Sequence, residues 1–222
     1  MAILSLAAMY FTDRNDAAIQ LAKLVSAHAG PQTLVLAIPR GGVPIGYTLA
    51  NRLKAPFDLL MAKKIGHPQD PEYAIGAVCD NEIVVDTDSA APLEYLAQQQ
   101  AKIKRELKDR YTRLTGREKA LSTHQKKVII VDDGIATGRT MMAAIRAIRK
   151  QLPAALIVAV PVCSTEAAAR LRPVVDELIS CHYPEPFIGV GRFYWDFPQL
   201  TDQEVISMLC SSIPANHPTA IE

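Results

Sequence analysis

Val128-Ile129-Ile130-Val131-Asp132-Asp133-Gly134-Ile135-Ala136-Thr137-Gly138-Arg139-Thr140 is the stretch on which the reading of this chain turns. Four apolar residues run into two adjacent carboxylates and a short loop of small and hydroxyl residues. Helical spacing follows at Met141, Met142, Ala144, Ile145 and Ile148. An apolar run of this length reads as a buried parallel strand, with the acids at its carboxyl tip and a loop that opens a helix. Such a loop presents main-chain N–H groups, and the helix dipole adds positive potential, so the place suits a phosphate. Two carboxylates there would repel each other and the anion unless they accept hydrogen bonds from the vicinal hydroxyls of a ribose. The ligand these residues imply is a ribose 5-phosphate.

On either side of this stretch, apolar strands alternate with helical patterns. Helical spacing runs from Asp16 to Ala27 and stops at Gly30-Pro31. Leu34–Ile38 reads as a strand ending at Pro39-Arg40-Gly41-Gly42, and Val43–Leu53 as a helix with Pro44 in its first turn. Phe57–Ile65 reads as a second strand and Tyr73–Cys79 as a third, with Ile83–Val85 as its hairpin partner. Pro92–Arg113 is a long charged helix with Ile103, Leu107 and Leu114 on its buried stripe. After the signature helix, to Lys150, come a strand at Leu156–Val162, a helix at Thr165–Leu171 and a strand at Glu177–Cys181. An aromatic irregular stretch, Phe187–Phe197, precedes a last helix at Asp202–Cys210. This alternation predicts an α/β fold with a doubly wound, mainly parallel sheet. Ligands of such sheets sit beyond the carboxyl ends of the strands, where both 39–42 and 132–140 fall.

The composition narrows the classes of function. The 222 residues suffice for one good core and are 49% apolar and 21% charged, ordinary for a soluble globular protein. With 24 basic and 23 acidic residues the formal charge is +1, so no whole-molecule field points to nucleic acid or membrane. No apolar run approaches the ~20 residues of a membrane span. Met1–Phe11 is apolar but lacks a basic start, so no secretory signal is expected. Cys79, Cys163, Cys181 and Cys210 are scattered without a CxxC pair, which suggests neither zinc nor a disulfide framework and fits a reducing cytoplasm.

Arg40 on its double-glycine turn is a permanent cation suited to a phosphate, and Gly41 and Gly42 would let the main chain approach a ligand. In Ala62-Lys63-Lys64-Ile65-Gly66-His67-Pro68, alternation turns the two lysines to opposite faces, so one could reach an anion while the other stays in solvent. His67 lies in the following loop, where Gln69-Asp70-Pro71-Glu72-Tyr73 reads as a flap. Val84-Val85-Asp86-Thr87-Asp88 is similar to the start of phosphoaspartate phosphatases, but no partner lysine and acidic cluster accompany it, so it reads as a polar loop.

The signature closely resembles that of the type I phosphoribosyltransferases, which bind 5-phosphoribosyl-1-pyrophosphate (PRPP). Phe11-x-Asp13-Arg14, Ile38-Pro39-Arg40-Gly41-Gly42-Val43-Pro44, Lys64-Ile65-Gly66-x-Pro68, Pro71-Glu72-x-Ala74-Ile75-Gly76-Ala77-Val78 and Tyr194-x-Asp196-Phe197 extend the resemblance from about residue 11 to about 210. Together they are similar to a bacterial subfamily of that fold whose acceptor is unassigned. The resemblance implies one domain over 1–222, with a core at about 11–182 and a small C-terminal hood and helix at about 183–212. It implies PRPP binding through Arg40, Gly41, Gly42, Asp132, Asp133, Ala136, Thr137, Gly138, Arg139 and Thr140, with Arg40, Lys64 and Asp133 catalytic. Residues 39–42 become a pyrophosphate loop, often built on a non-proline cis peptide. Arg139 departs from the glycine that salvage enzymes commonly carry at that point. Tyr194 and Asp196 would hold the acceptor in the hood, and Mg²⁺ would be held mainly through PRPP. The implied activity is transfer of 5-phosphoribosyl from PRPP to a nitrogen acceptor, a nucleobase or related heterocycle, with release of pyrophosphate. The alternative is a PRPP-binding regulator without transfer, since fold does not fix function. The partners implied are PRPP and a small acceptor, neither nucleic acid nor membrane, with a homodimer left open.

Overall fold

The computed structural model describes residues 11–70, 73–80, 82–85, 89 and 91–212. The expectations for the segment before Phe11, for Pro71 and Glu72 of the flap, and for Asp86-Thr87-Asp88 lie outside these residues. In chain order the elements are α1 (Arg14–Leu24), β1 (Thr33–Ala37), α2 (Gly42–Leu53), β2 (Phe57–Leu59), β3 (Ala62–Gly66), β4 (Ala74–Cys79) and β5 (Glu82–Val85). There follow α3 (Leu93–Thr115), β6 (Lys127–Val131), α4 (Arg139–Arg149), β7 (Ala155–Val162), α5 (Thr165–Leu171), β8 (Glu177–His182) and α6 (Asp202–Ser212).

Five strands pair in parallel in the order β2-β1-β6-β7-β8. β1, β6 and β7 are buried along nearly their whole length, because helices cover both faces. Side-chain alternation divides the core in two. Val35, Ala37, Ile129, Val131, Ile157 and Ala159 face α1, α2 and α6. Leu34, Leu36, Val128, Ile130, Leu156 and Val158 face α4 and α5. The winding reverses between β1 and β6, which pair from Thr33↔Lys127 to Ala37↔Val131. Their carboxyl tips flank the crevice where such sheets bind ligands.

The expected strand Phe57–Ile65 is in fact two. The chain leaves the parallel sheet after Leu59 and enters a separate antiparallel sheet, β3-β4-β5, at Ala62. Hydrophobic periodicity could not reveal the break, because Leu60 and Met61 continue the apolar run while changing partners. The small sheet packs Ala77 and Cys79 toward α4 and gives Ile65, Ile75 and Val78 to α3, which buries Ile103 and Leu107 against them. Tyr111 and Leu114 extend the stripe of α3 toward the main core.

After β8, residues 183–212 comprise a short 3₁₀ turn at Val190–Phe193 and α6. Phe11 bridges in parallel to Tyr194, and the Trp195 and Asp196 amides donate to the carbonyls of Phe11 and Thr12. The beginning and end of the described chain thus close on one another. Among the described residues no helix is long and apolar enough to cross a membrane. The four cysteines are unpaired; Cys79 and Cys163 are buried, and Cys210 is exposed.

One buried charge braces the join between the sheets. The Asp58 carboxylate is fully buried and accepts from the Tyr111 hydroxyl at 3.0 and 3.1 Å, the Leu121 amide at 2.8 Å and the Arg117 guanidinium. Removing it takes the acceptor from the Leu121 amide and the counter-charge from Arg117, and leaves the Tyr111 hydroxyl with the Lys119 carbonyl alone. Asp58→Ala should therefore cost about 2–4 kcal/mol of stability in chemical denaturation. A loss under ~0.5 kcal/mol, the usual range for surface changes, would contradict the bracing role.

Candidate active site

Two loops meet at the crevice, and their contact depends on the absence of side chains. A Cβ built on Gly41 would lie 2.0 Å from Asp133 Oδ2, and one on Gly42 would lie 2.7 Å from the Val131 carbonyl and 2.9 Å from Asp132 Cα. The double glycine thus lets the 39–42 loop nest against the tip of β6. This packing requirement comes in addition to the main-chain approach to a ligand that the sequence suggested for the two glycines. The Pro39–Arg40 peptide is cis, as the resemblance implied.

The signature loop is clamped on its far side. Ile135 donates from its amide to the Val162 carbonyl, and the Ser164 amide donates back to Ile135. The Ser164 hydroxyl, which also caps α5 by accepting from the Ala167 amide, donates to the Ala136 carbonyl. Gly138 takes a left-handed conformation, φ +76°, as the N-cap of α4. The first turn of α4 then directs main-chain N–H groups into a recess of about 140 Å³. Its lining includes Lys64, Asp132, Ala136, Thr137, Gly138, Arg139 and Thr140. The residues that the sequence reading assigned to a phosphate cradle are brought together here, with the acid pair's first member. Gly134, Ile135, Met141 and Val190 also line it. A Cβ on Gly134 would meet Val190 at 2.7 Å, so this glycine is needed where the chain after β8 crosses the signature.

The two lysines separate as alternation requires. Lys63 pairs with Glu106 of α3 at 2.7 Å, whereas Lys64 lines the recess with Asp132. Arg40 is exposed at the edge of the crevice and lies 3.7 Å from Asp202 of α6, which also pairs with Arg110 and Arg113 at 3.2 Å.

The adjacent acids occupy different environments. Asp133 is ion-paired with Arg14 at 3.0 Å, and Arg14 is itself held by the Pro198 carbonyl and stacked 3.7 Å over the Phe197 ring. Asp132 accepts from the Asp133 amide at 2.9 Å and faces the recess. Loss of water, and then the neighbouring Asp133 charge, push the Asp132 carboxyl well above the usual carboxylate range; Arg14 and Lys64 oppose this. Burial raises Asp133 as well, with Arg14 working against it.

Arg14 stands in the sequence pattern Phe11-x-Asp13-Arg14, but nothing local assigned it a partner 119 residues away. Tyr194 departs from its expected place at an acceptor. Its ring is 5% exposed, packed on Phe11 and Phe197, and its hydroxyl donates to the Asp133 carbonyl at 2.6 Å. It is a strut behind the acid pair, and no face is left for a base. Asp196 is exposed, and so is Trp195, at 89%.

A strand tip bearing two acids, a glycine-capped helix start and a cationic loop meet at the reversal of a doubly wound α/β sheet, the place where such sheets bind ligands. Residues 12–198 match the phosphoribosyl transferase domain family, and the chain belongs to that family. It is 35% identical over 207 residues to MT0597 and Rv0571c of two Mycobacterium tuberculosis strains, each provisionally named a phosphoribosyl transferase. The match covers 90% of this chain and 46% of those proteins, so the chain spans about half the length of the curated relatives it matches. The crystal structure of TT1426 from Thermus thermophilus is similar with a TM-score of 0.79 at 35% identity, covering 93% of this chain and all of that one.

Two outcomes follow from the packing and charge of the site. Gly42→Ala drives a methyl into main-chain atoms that cannot swing away, and should cost about 1–3 kcal/mol in denaturant unfolding. An unchanged midpoint would mean that the loops do not nest this closely. For Asp132, the raised pKa means that the folded protein holds this proton more tightly than the unfolded chain does. Ionisation therefore costs stability as pH climbs from the ordinary carboxylate pKa through the raised one. Asp132→Asn should melt higher than wild type at neutral pH, with the gap closing below about pH 4. A variant that melts lower at neutral pH would contradict this environment.

Proposed function

We propose that the chain transfers 5-phosphoribosyl from PRPP to a nitrogen acceptor, a nucleobase or related heterocycle, releasing pyrophosphate. The observation that carries this reading is the recess that joins the Asp132 carboxylate, the amino end of α4 and Lys64 in one small volume. The 5-phosphate would lie against the amides and hydroxyls of Ala136–Thr140, with the Arg139 guanidinium adding charge. Asp132 would accept from a ribose hydroxyl, which would relieve the loss of water that raises its pKa. Asp133, fixed by Arg14 and by the Tyr194 strut, would set the position of the strand tip and lend negative potential to the sugar.

As the bond between C1 and the pyrophosphate oxygen breaks, positive charge grows on the ribose and negative charge on the leaving group. The nitrogen lone pair of the acceptor then forms the new bond to C1. Lys64 and Arg40 would stabilise the departing pyrophosphate. Arg40 must turn from Asp202 to do so, a change that an exposed side chain makes readily. Among the described residues no three or more His, Cys, Asp or Glu gather into a metal cluster. Mg²⁺ would be held mainly through PRPP, with Asp132 in the recess able to contribute a carboxylate oxygen, and would neutralise phosphate charge when bound.

Calorimetry with PRPP and Mg²⁺ tests the binding. Asp132→Asn and Lys64→Ala should each weaken it by about 1–3 kcal/mol, the scale of a lost charged hydrogen bond, while Lys63→Ala should leave it unchanged. No binding by wild type, or equal losses at Lys63 and Lys64, would remove the assignment. A nucleobase screen for pyrophosphate release separates transfer from PRPP sensing: binding without release from any base would favour a regulator.

A further inference from the structure

A second cavity, larger than the signature recess, lies at the opposite end of α4. Its volume is about 500 Å³, within the ~300–1,000 Å³ typical of small-molecule sites. Ile148 and Gln151 line it, whereas the recess reaches only to Met141, so about 10 Å of helix separates the two. Leu36, Leu59, Leu60, Leu107, Tyr111 and Ile148 supply an apolar wall. The rim is charged and unbalanced: Lys104, Arg105, Lys108 and Lys119 stand against Asp80 and Glu118. Lys104 and Lys108 are one helical turn apart and so share a face of α3.

The cavity opens to solvent on its charged side, so its apolar wall meets water until something covers it. Asp58 of β2 accepts from the Tyr111 hydroxyl, the Arg117 guanidinium and the Leu121 amide, tying α3 and the loop after it to the edge strand of the sheet. The walls are thus set before anything binds, which lowers the ordering cost of an occupant.

We propose that this cavity between α3, α4 and the 117–123 loop is a binding site for a free small amphipathic anion, with a hydrocarbon or flat apolar body and one carboxylate-like head. The body would lie on the leucine and Tyr111 wall and the head at the Lys104–Lys108 rim. Neither end requires any residue of the signature site, so the assignment stands or falls independently of PRPP.

Decanoate serves as the probe and decyltrimethylammonium as the charge-reversed control, both titrated below their micellar concentrations into the full chain. Decanoate should bind saturably at one site per chain, and the cation should bind more weakly by about tenfold or more. Ala120→Trp, at an exposed loop position on the cavity wall, should block binding without lowering the melting temperature. The double change Lys104→Glu with Lys108→Glu should weaken decanoate by about tenfold while sparing the fold. The proposal is overturned by non-saturable uptake, by equal binding of anion and cation, or by binding that survives both sets of changes. A dimer in sedimentation that Ala120→Trp dissociates would overturn it too, assigning the cavity to contact between copies of the chain.

Discussion

The close approach of the 39–42 loop to the tip of β6 is the constraint on which the site depends. Gly41 lies where any side chain would strike the Asp133 carboxylate, and Gly42 lies against the Val131 carbonyl. That contact exists because β1 and β6 are parallel neighbours in strict register up to Ala37↔Val131. Their exits therefore emerge side by side at the reversal of the sheet. The 39–42 loop and the acid pair come from positions about ninety residues apart in sequence, yet share a boundary less than one side chain wide.

Around that boundary the protein spends little chemistry on the ligand and much on holding loops still. Arg14, Tyr194, Ser164 and Phe197 are struts: each fixes a carbonyl, a carboxylate or a cation in or behind the two loops. Electrostatic stabilisation works best when the donors and charges are already in place. The charge pattern follows the same logic. Asp132 sits half-buried beside a like charge, a costly state that a sugar hydroxyl or a cation would relieve, while Asp133 is compensated by Arg14. Stability given up at Asp132 is a common feature of functional sites.

The small antiparallel sheet adds a second level of organisation. It brings Lys64 to the crevice on β3 while Lys63, one residue earlier, is tied to α3 through Glu106. The same excursion lines a cavity beside α3, next to the loop that Asp58 ties to the sheet. A departure from the parallel sheet at Leu60 and Met61 thus supplies a lysine to the recess and a wall to the cavity.

The sequence alone determined the strand–loop–helix of the signature, because four consecutive apolar residues, two acids and a glycine-bearing loop obey local rules of burial and dipole. Alternating elements implied the parallel core, and period-two alternation required Lys63 and Lys64 to part. Tertiary structure decided which lysine faces the crevice, since alternation has no sign until the strand is docked. It decided that Gly41 and Gly42 serve loop packing, because only the neighbouring strand supplies the atoms a Cβ would strike. It also moved Tyr194 from a candidate stacking surface to a buried strut: an aromatic residue in a loop has no periodicity to declare its direction, and its partner Asp133 lies 61 residues away. Splitting Phe57–Ile65 between two sheets was likewise a matter of partners, for a strand's hydrogen bonds are made with segments its own sequence does not specify.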